Sequence, residues 1–167
     1  AAFLFQEKNM QGRTHNCGQL RLENVGEEVK LVGWYENLRK VSKNLGFLIL
    51  RDFYGTTQIV AETEEQMEQL SGINYESTIE IVGTVRERSS KNSKIPTGDI
   101  EVVPSKITVL GKCQYNELPF QINHSKDADE NVRLKYRYLD LRNPDVKSRI
   151  ILRSRIVADL RAALRRR

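Results

Sequence analysis

The sequence predicts a mainly β fold, a small five-stranded barrel with one short helix between strands 3 and 4, followed by a linker and a C-terminal amphipathic helix. Two observations lead to this prediction. Residues 46–60 contain two runs of aliphatic and β-branched residues around Asp52 and Gly55, the pattern of a β-hairpin. Further predicted strands stand on both sides of this hairpin, all within residues 29–110.

The first strand and the helix follow from local patterns. Residues 29–35 are an apolar run with Gly33 near the centre, where a glycine marks a bulge or a tight bend. The hairpin supplies the second and third strands. Residues 63–70 predict a short helix, with Thr63 as its N-cap and Gln66 completing a capping box.

Two more strands complete the barrel. Residues 77–86 alternate between apolar and polar side chains, and residues 99–110 form a fifth strand that Pro104 interrupts. Three strands, a helix and two strands is the order of an OB-fold, whose second and third strands and adjoining loops bind oligonucleotides. Cold-shock-like and SH3-like barrels share this order and remain alternatives. We predict an OB-fold over residues 13–110.

The remaining residues predict less regular structure and one long helix. We expect residues 1–12 to be a disordered leader and residues 111–143 to be a linker or hinge. Asn143 offers an N-cap for a helix over residues 144–167. Its apolar stripe is broader than a solvated helix needs, so we expect it to pack on a domain beyond this sequence; the stripe comprises Val146, Ile150, Val157, Leu160 and Leu164.

The net charge of +5 is unevenly distributed. Residues 133–167 hold 12 Lys and Arg residues against three Asp, a net charge of +9, so the remainder of the chain carries −4. The high isoelectric point therefore does not make the barrel a general polyanion binder. A nucleic-acid site on the barrel has to be a local patch.

Several classes of protein are disfavoured. The sequence has no apolar run of about 18 residues and no positively charged leader, so we expect no membrane span, no signal peptide and a cytoplasmic location. Cys17 and Cys113 lie far apart without a CxxC pattern, which argues against a disulfide framework and a zinc site. His15 and Cys17 form no second ligand pair, so we expect no metal.

The hairpin contains the candidate binding residues. Side chains alternate along a strand, so if Leu48 and Leu50 face the core, Phe47 and Arg51 face outward with Gln58 beside them. An aromatic ring, a cation and an amide form a platform on which a single-stranded base can stack and be read at its edge. The alternative is that Phe47 belongs to a second layer of core and Arg51 forms an ion pair within the turn.

At this point the sequence resembles a known family. Its motifs are similar to those of the amino-terminal anticodon-binding region of bacterial-type aspartyl-tRNA synthetases, over residues 13 to about 164. Residues 133–142 resemble a segment that lysyl- and asparaginyl-tRNA synthetases share, whereas residues 13–21 and the Thr-Gly-Asp-Ile-Glu run at 97–101 select aspartate. The family commonly has consecutive arginines after its Gly-Trp pair, and here only Arg39 keeps such a position.

The resemblance implies that the OB-fold binds the anticodon loop of tRNA-Asp. Phe47 would stack on the central base, Gln58 and Glu101 would read base edges, and Arg39 would contact a phosphate or a base. These types suit the task, because amide and carboxylate groups distinguish hydrogen-bond donors from acceptors. The full set of expected site residues is Phe47, Gln58, Glu101, Arg39, Arg51, Arg86 and Asn92.

The resemblance also implies a larger enzyme. The complete protein would be an ATP-dependent class II aspartate–tRNA ligase of translation, a homodimer that uses ATP and Mg²⁺. We interpret this chain as a part of it that has no catalytic residues and no cofactor, with residues 144–167 the first helix of the catalytic domain, and we expect it to be inactive alone. The alternative is a free-standing OB-fold protein that binds single-stranded nucleic acid or a protein partner.

Overall fold

The computed structural model describes residues 12–165, so all but the last residue of the predicted leader lies outside the described residues, as do the two final arginines. The chain divides into two compact units, one ending at Asn116 and the other beginning at Glu117. The first unit holds the predicted barrel. The second holds the predicted carboxy-terminal helix.

The first unit is a five-stranded barrel. Its strands run in the order β1-β2-β3-β5-β4, with β3 and β5 parallel and the other neighbours antiparallel. A single helix, α1, stands between the third and fourth strands, which confirms the predicted OB-fold order. The elements are β1 (Glu28–Lys40), β2 (Gly46–Arg51), β3 (Thr56–Ala61), α1 (Glu64–Ser71), β4 (Thr78–Glu87) and β5 (Ile100–Gly111).

Strand β1 is longer than the apolar pattern predicts. It continues through polar residues to Lys40 because these pair with β2, with Arg39 opposite Phe47. A register shift between Tyr35 and Asn37 keeps the Tyr35 ring in the core and leaves Asn37 exposed. Gly33 marks a close backbone approach and not this bulge, since a Cβ there would lie 2.6 Å from the carbonyl oxygen of Arg51.

The inward-facing side chains of all five strands form one apolar core. Leu48 and Leu50 are fully buried, as the alternation along the hairpin predicts. Burying each such leucine contributes about 1.5–3 kcal/mol, which makes the barrel the main source of stability in this unit. Other fully buried members of the core are Leu20, Leu31, Ile59, Ile79, Ile81 and Ile100.

Helix α1 begins at its predicted cap. The Thr63 Oγ1 accepts a hydrogen bond of 3.2 Å from the backbone N–H of Gln66. The Gln66 side chain differs from a capping box, because its Oε1 accepts from the backbone N–H of Glu62 at 3.0 Å and not from Thr63. Met67 and Leu70 turn into the core, so the helix contributes apolar surface to the barrel.

Strand β5 runs through the proline that the sequence predicts as an interruption. The register to β4 shifts between Val82 and Gly83, which leaves Ser105 as an extra residue beside Pro104. The Ser105 hydroxyl donates to the carbonyl of Val82 at 3.1 Å and replaces a backbone hydrogen bond. A bulge therefore accommodates the missing N–H of the proline without ending the strand.

The second unit contains regular structure where the sequence predicts a linker. A 3-10 helix covers Ile122–Asp127, and two short helices follow, α2 (Glu130–Lys135) and α3 (Arg137–Asp140). Phe120, Ile122 and Leu139 form a small buried cluster of their own. These few apolar residues are enough to hold the short helices together, although the segment is mostly polar in sequence.

Asp140 is the polar centre of this second unit. Its buried carboxylate accepts hydrogen bonds from Ser125 Oγ at 2.7 Å and from Arg133 Nε at 3.3 Å, and it also contacts Arg137. Burial alone would raise the pKa of Asp140, but the hydrogen bonds from Ser125 and Arg133 and the charges of the two arginines outweigh it and hold the pKa below its usual range.

Helix α4 (Pro144–Arg165) begins where the sequence predicts. The Asn143 Oδ1 accepts from the backbone N–H of Asp145 at 3.0 Å, as an N-cap does. Val146 is buried, whereas Ile150 and Leu164 further along the predicted stripe are exposed. Within residues 12–165, no helix is both long enough and apolar enough to cross a membrane.

Candidate nucleic-acid interface

The outer face of the barrel carries a row of polar and aromatic side chains. Arg39 on β1 pairs with Phe47 on β2, and Gln58 on β3 pairs with Ile49 on β2. Residues directly opposite each other in antiparallel strands share one face of the sheet. Five strands thus present a continuous surface, with an aromatic ring at β2 and polar groups from β3 to β4.

We call Arg39 and Phe47 the stacking end of this surface. Phe47 is half-buried, and the Arg39 guanidinium carbon lies 5.1 Å from the centroid of its ring. Arg39 itself is exposed. An aromatic face with a cation beside it is suited to stack on a base and to neutralise a neighbouring phosphate.

We call Gln58, Glu101, Arg86 and Glu62 the polar network. Gln58 Nε2 donates to Glu101 Oε2 at 3.1 Å. Arg86 donates to Glu101 Oε1 from Nε at 3.1 Å and from a terminal nitrogen at 2.8 Å. The same terminal nitrogen donates to Glu62 Oε1 at 2.6 Å. Four side chains from β3, β4, β5 and the residue after β3 are therefore joined in one chain of hydrogen bonds.

The network is buried at one end and open at the other. The side chain of Glu101 is 7% exposed, whereas those of Arg86 and Glu62 are 45% and 41% exposed. Hydrogen bonds from Arg86 to Glu62 and then to Glu101 raise the pKa of the guanidinium. Gln58 keeps its amide oxygen as an acceptor, so the network offers both donors and acceptors to the edge of a base.

Arg51 does not reach this surface. Its side chain is 6% exposed and donates to Glu76 Oε1 at 2.6 Å, with Glu36 Oε2 at 3.8 Å and the Trp34 ring centroid at 5.9 Å. The expectation that Arg51 projects outward with Phe47 is wrong. Arg51 lies on the same face of β2 as Phe47, as predicted. Glu36 at the β1 bulge and Glu76 before β4 pack against its side chain and bury it.

Asp52 has a different partner from the one the turn pattern indicates. The alternative of an ion pair with Arg51 is wrong, because Asp52 Oδ2 accepts from Arg13 at 2.9 Å. Its Oδ1 accepts from the backbone N–H groups of Tyr54 at 2.7 Å and Gly55 at 2.9 Å. Asp52 therefore stabilises the hairpin turn through backbone hydrogen bonds. Arg51 instead pairs with Glu76 and lies near Glu36.

Asn92 lies in the loop between β4 and β5. Its hydrogen bonds are with Lys94, Ile95 and Gly98 of the same loop. The loop is fastened to the hairpin by Thr97, whose hydroxyl donates to the carbonyl of Thr56 at 2.5 Å. These contacts do not include the polar network, and the role of Asn92 in binding stays a prediction.

Two cations of the surrounding loops have acidic partners. Lys43, in the loop before β2, lies 2.5 Å from Glu64 at the start of α1. Lys91, in the loop after β4, lies 2.7 Å from Glu87. This pairing fits the negative net charge of the barrel, and it limits the attraction of the surface for an arbitrary polyanion.

Glu62 is the member of the network that the sequence analysis missed. It follows Gln58 by four positions, so alternation along β3 places both on the same face. Counting by twos past Gln58 would have found it. It was overlooked because it directly precedes the cap of α1 and resembles an ordinary residue of a helix start.

Within residues 12–165 no group of three or more His, Cys, Asp and Glu is placed to hold a metal ion. His15 Nδ1 lies 3.1 Å from the hydroxyl of Thr14. Burial and the neighbouring Asp52 raise the pKa of the Cys17 thiol, which keeps it protonated.

Known proteins place this surface in a family. Residues 29–110 match the model of an OB-fold nucleic acid binding domain of the tRNA anticodon class. An aspartate–tRNA ligase of Bacteroides fragilis is 44% identical over 155 residues, which cover 91% of this chain and 26% of the relative. An aspartate–tRNA(Asp/Asn) ligase of Rickettsia prowazekii is 47% identical over 153 residues, covering 89% and 25%.

A solved structure agrees with these sequences. Asparaginyl-tRNA synthetase from Pyrococcus horikoshii, complexed with asparaginyl-adenylate, superposes with a TM-score of 0.74 at 26% identity, over 90% of this chain and 33% of that one. The chain spans about a quarter of the length of the curated relatives it matches. Residues 29–110 are thus an OB-fold domain of the tRNA anticodon class, and the chain resembles the anticodon-binding part of the aspartyl-tRNA synthetases.

Proposed function

We propose that the outer face of this barrel binds the anticodon loop of tRNA-Asp. The observation that carries the proposal is the arrangement of the stacking end beside the polar network on one face. Phe47 lies diagonally from Gln58 across β2 and β3, a spacing of about 7–8 Å, so a base stacked on the ring is a neighbour of one read by the network.

The two ends divide the work of recognition. Stacking on Phe47 accepts any base and supplies affinity, with Arg39 on the ring compensating phosphate charge. Gln58 and Glu101 supply selectivity, because each is fixed by a hydrogen bond before RNA arrives and a wrong base leaves a buried group unpaired. Arg86 fixes Glu101 in place by hydrogen bonds. Asn92 lies in the adjoining loop and is expected to contact the RNA there. Arg51 is buried against Glu36 and Glu76 and makes no RNA contact in this proposal.

We extend the proposal to the complete protein as an expectation. It is a cytoplasmic aspartate–tRNA ligase that functions as a homodimer and uses ATP and Mg²⁺, with its chemistry outside the barrel. The names of the relatives support this activity. The barrel contributes the selection of the tRNA.

The test is a titration of a tRNA-Asp anticodon stem-loop into the wild-type chain and into Phe47→Ala at fixed ionic strength. We expect the substitution to weaken binding by about 1–3 kcal/mol, the contribution of one aromatic–base stack. Phe53→Ala is the matched control, since Phe53 is an exposed aromatic residue in the turn of the same hairpin, in edge contact with Tyr54. It should bind like wild type.

Two results would contradict the proposal. Equal affinities of wild type and Phe47→Ala remove the ring from the binding surface. Equal affinities of the wild-type chain for stem-loops changed at each anticodon base favour the alternative, an OB-fold protein that binds single strands without reading them.

A further inference from the structure

Arg86 bridges two carboxylates that differ in their surroundings. Glu101 is buried and already receives hydrogen bonds from both Gln58 and Arg86. Glu62 is half-exposed and touches only the outer nitrogen of Arg86 within this network. Glu62 therefore adds nothing to the alignment of Glu101 that Arg86 Nε does not already supply.

The Arg86 guanidinium is the cationic group of the network that solvent reaches, since its side chain is 45% exposed. It is a good partner for an RNA phosphate, which is also an oxyanion. Glu62 Oε1 accepts from a terminal nitrogen of Arg86 at 2.6 Å, and an ion pair at this exposure is weak enough to exchange. A phosphate that approaches the guanidinium therefore meets the negative charge of Glu62 beside it.

We propose that Glu62 stands in for a phosphate on Arg86 and so suppresses sequence-blind RNA binding by the barrel. The inference rests on the proposed function of this face. In the complex with a matching anticodon, Arg86 remains hydrogen-bonded to Glu101 and keeps its carboxylate aligned with the base. Glu62 therefore does not weaken this complex. With any other RNA, the gain available at Arg86 is a phosphate contact, and the charge of Glu62 at 2.6 Å from the guanidinium opposes it.

A second ion pair of the same surface follows the same pattern. Glu64, two residues after Glu62, holds Lys43 of the loop before β2 at 2.5 Å. The junction between β3 and α1 thus supplies carboxylates to cations on two sides of the face. Repulsive or occupied positions of this kind discriminate against wrong partners without adding contacts to the right one.

Glu62→Gln tests the inference. Its backbone N–H donates to Gln66, and the substitution keeps this bond, so the start of α1 is preserved. We expect about two- to fivefold tighter binding of oligouridylate, which corresponds to the loss of one exposed ion pair. The slope of log affinity against log salt should steepen by about 0.7, since one more phosphate contact releases one more counterion. Affinity for the tRNA-Asp stem-loop should change by less. The ratio of stem-loop affinity to oligouridylate affinity should therefore fall.

Two variants control for charge and for Arg86. Glu65→Gln removes one negative charge from the exposed start of α1, three residues from Glu62, and should leave oligouridylate binding near wild type. Arg86→Gln combined with Glu62→Gln should cancel the gain, because the phosphate loses its partner. Thermal unfolding identifies a variant that misfolds, and Glu62→Ala then replaces Glu62→Gln.

The outcomes separate the two proposals. Equal gains in Glu65→Gln and Glu62→Gln overturn the inference in favour of a general charge effect. Weaker oligouridylate binding in Glu62→Gln overturns it in favour of a supporting role for Glu62 in the network. If the wild-type chain shows no preference for the matching stem-loop, the proposed function fails, and the oligouridylate measurements still report whether Glu62 blocks Arg86.

Discussion

Two arginine clusters on the same barrel illustrate how burial separates structure from function. Arg51 lies between Glu36 and Glu76 with a side chain 6% exposed. Arg86 lies between Glu62 and Glu101 with a side chain 45% exposed. Each guanidinium has two carboxylates, and each stands on a strand of the outer face. Arg86 is hydrogen-bonded to both carboxylates and Arg51 only to Glu76, but the larger difference is in access to solvent.

Access decides what each cluster can do. A buried charge that loses its partner has no water to replace it, so Arg51 and Glu76 are held together in every state of the folded barrel. The outer nitrogen of Arg86 is hydrated or paired at similar free energy, so it can exchange Glu62 for another oxyanion. The buried cluster fixes the end of β2, and the open cluster is accessible from solvent.

The largest expected effect is on stability. Arg51→Ala should lower the free energy of unfolding by about 3–5 kcal/mol, because it removes the guanidinium from a buried ion pair with Glu76. Arg86→Ala should lower it by about 1 kcal/mol or less, since that ion pair is half-exposed. Chemical denaturation of both variants measures the difference. Equal losses would show that the two clusters are not distinguished by burial.

The next effect is on selectivity. Glu101→Ala should reduce the preference for the matching anticodon by about 1–3 kcal/mol, because the group that rejects a wrong base edge is gone. Arg86 then faces solvent with Glu62 alone, so sequence-blind affinity should rise slightly. Stem-loops changed one anticodon base at a time provide the measurement, with Phe53→Ala as the control. An unchanged ranking of those stem-loops would remove Glu101 from base reading.

The sequence predicts the barrel well because alternation is a local signal. The fully buried Leu48 and Leu50, the cap of α1 at Thr63 and the start of α4 at Pro144 all lie where patterns of two to four residues place them. The same alternation places Arg51 on the outer face, but it does not predict that the Arg51 side chain is buried there. What covers Arg51 is Glu76, 25 residues along the chain and on a different segment.

The polar network was only partly predictable for a related reason. Parity along β3 identifies Gln58, the resemblance identifies Glu101, and Arg86 stands among the basic residues near the loop after β4. That these three join Glu62 in one chain of hydrogen bonds depends on β5 lying parallel to β3, with Ile59 opposite Val102. A parallel neighbour 43 residues away leaves no trace in local patterns. The helices of the second unit were missed because Arg133 and Arg137 resemble solvated residues and instead surround Asp140.

The smallest expected effect concerns helix α4. A chain ending after Ser148 keeps the Asn143 cap and the buried Val146, and it removes seven arginines with the exposed part of the apolar stripe. Arginines on a solvated helix bind any RNA through counterion release, so the truncated chain should have a shallower dependence of affinity on salt. Near physiological salt we expect its affinity for the matching stem-loop to fall by about threefold or less. Its preference among anticodon variants should equal that of the full chain, because the stacking end and the polar network both lie in the barrel. A full-length variant with Arg153, Arg155 and Arg161 changed to Gln removes the charge without shortening the helix, and it should shift the salt dependence in the same direction. If the preference for the matching anticodon disappeared with the helix, base reading would belong to the basic segment and not to the face that Phe47 and Glu101 share.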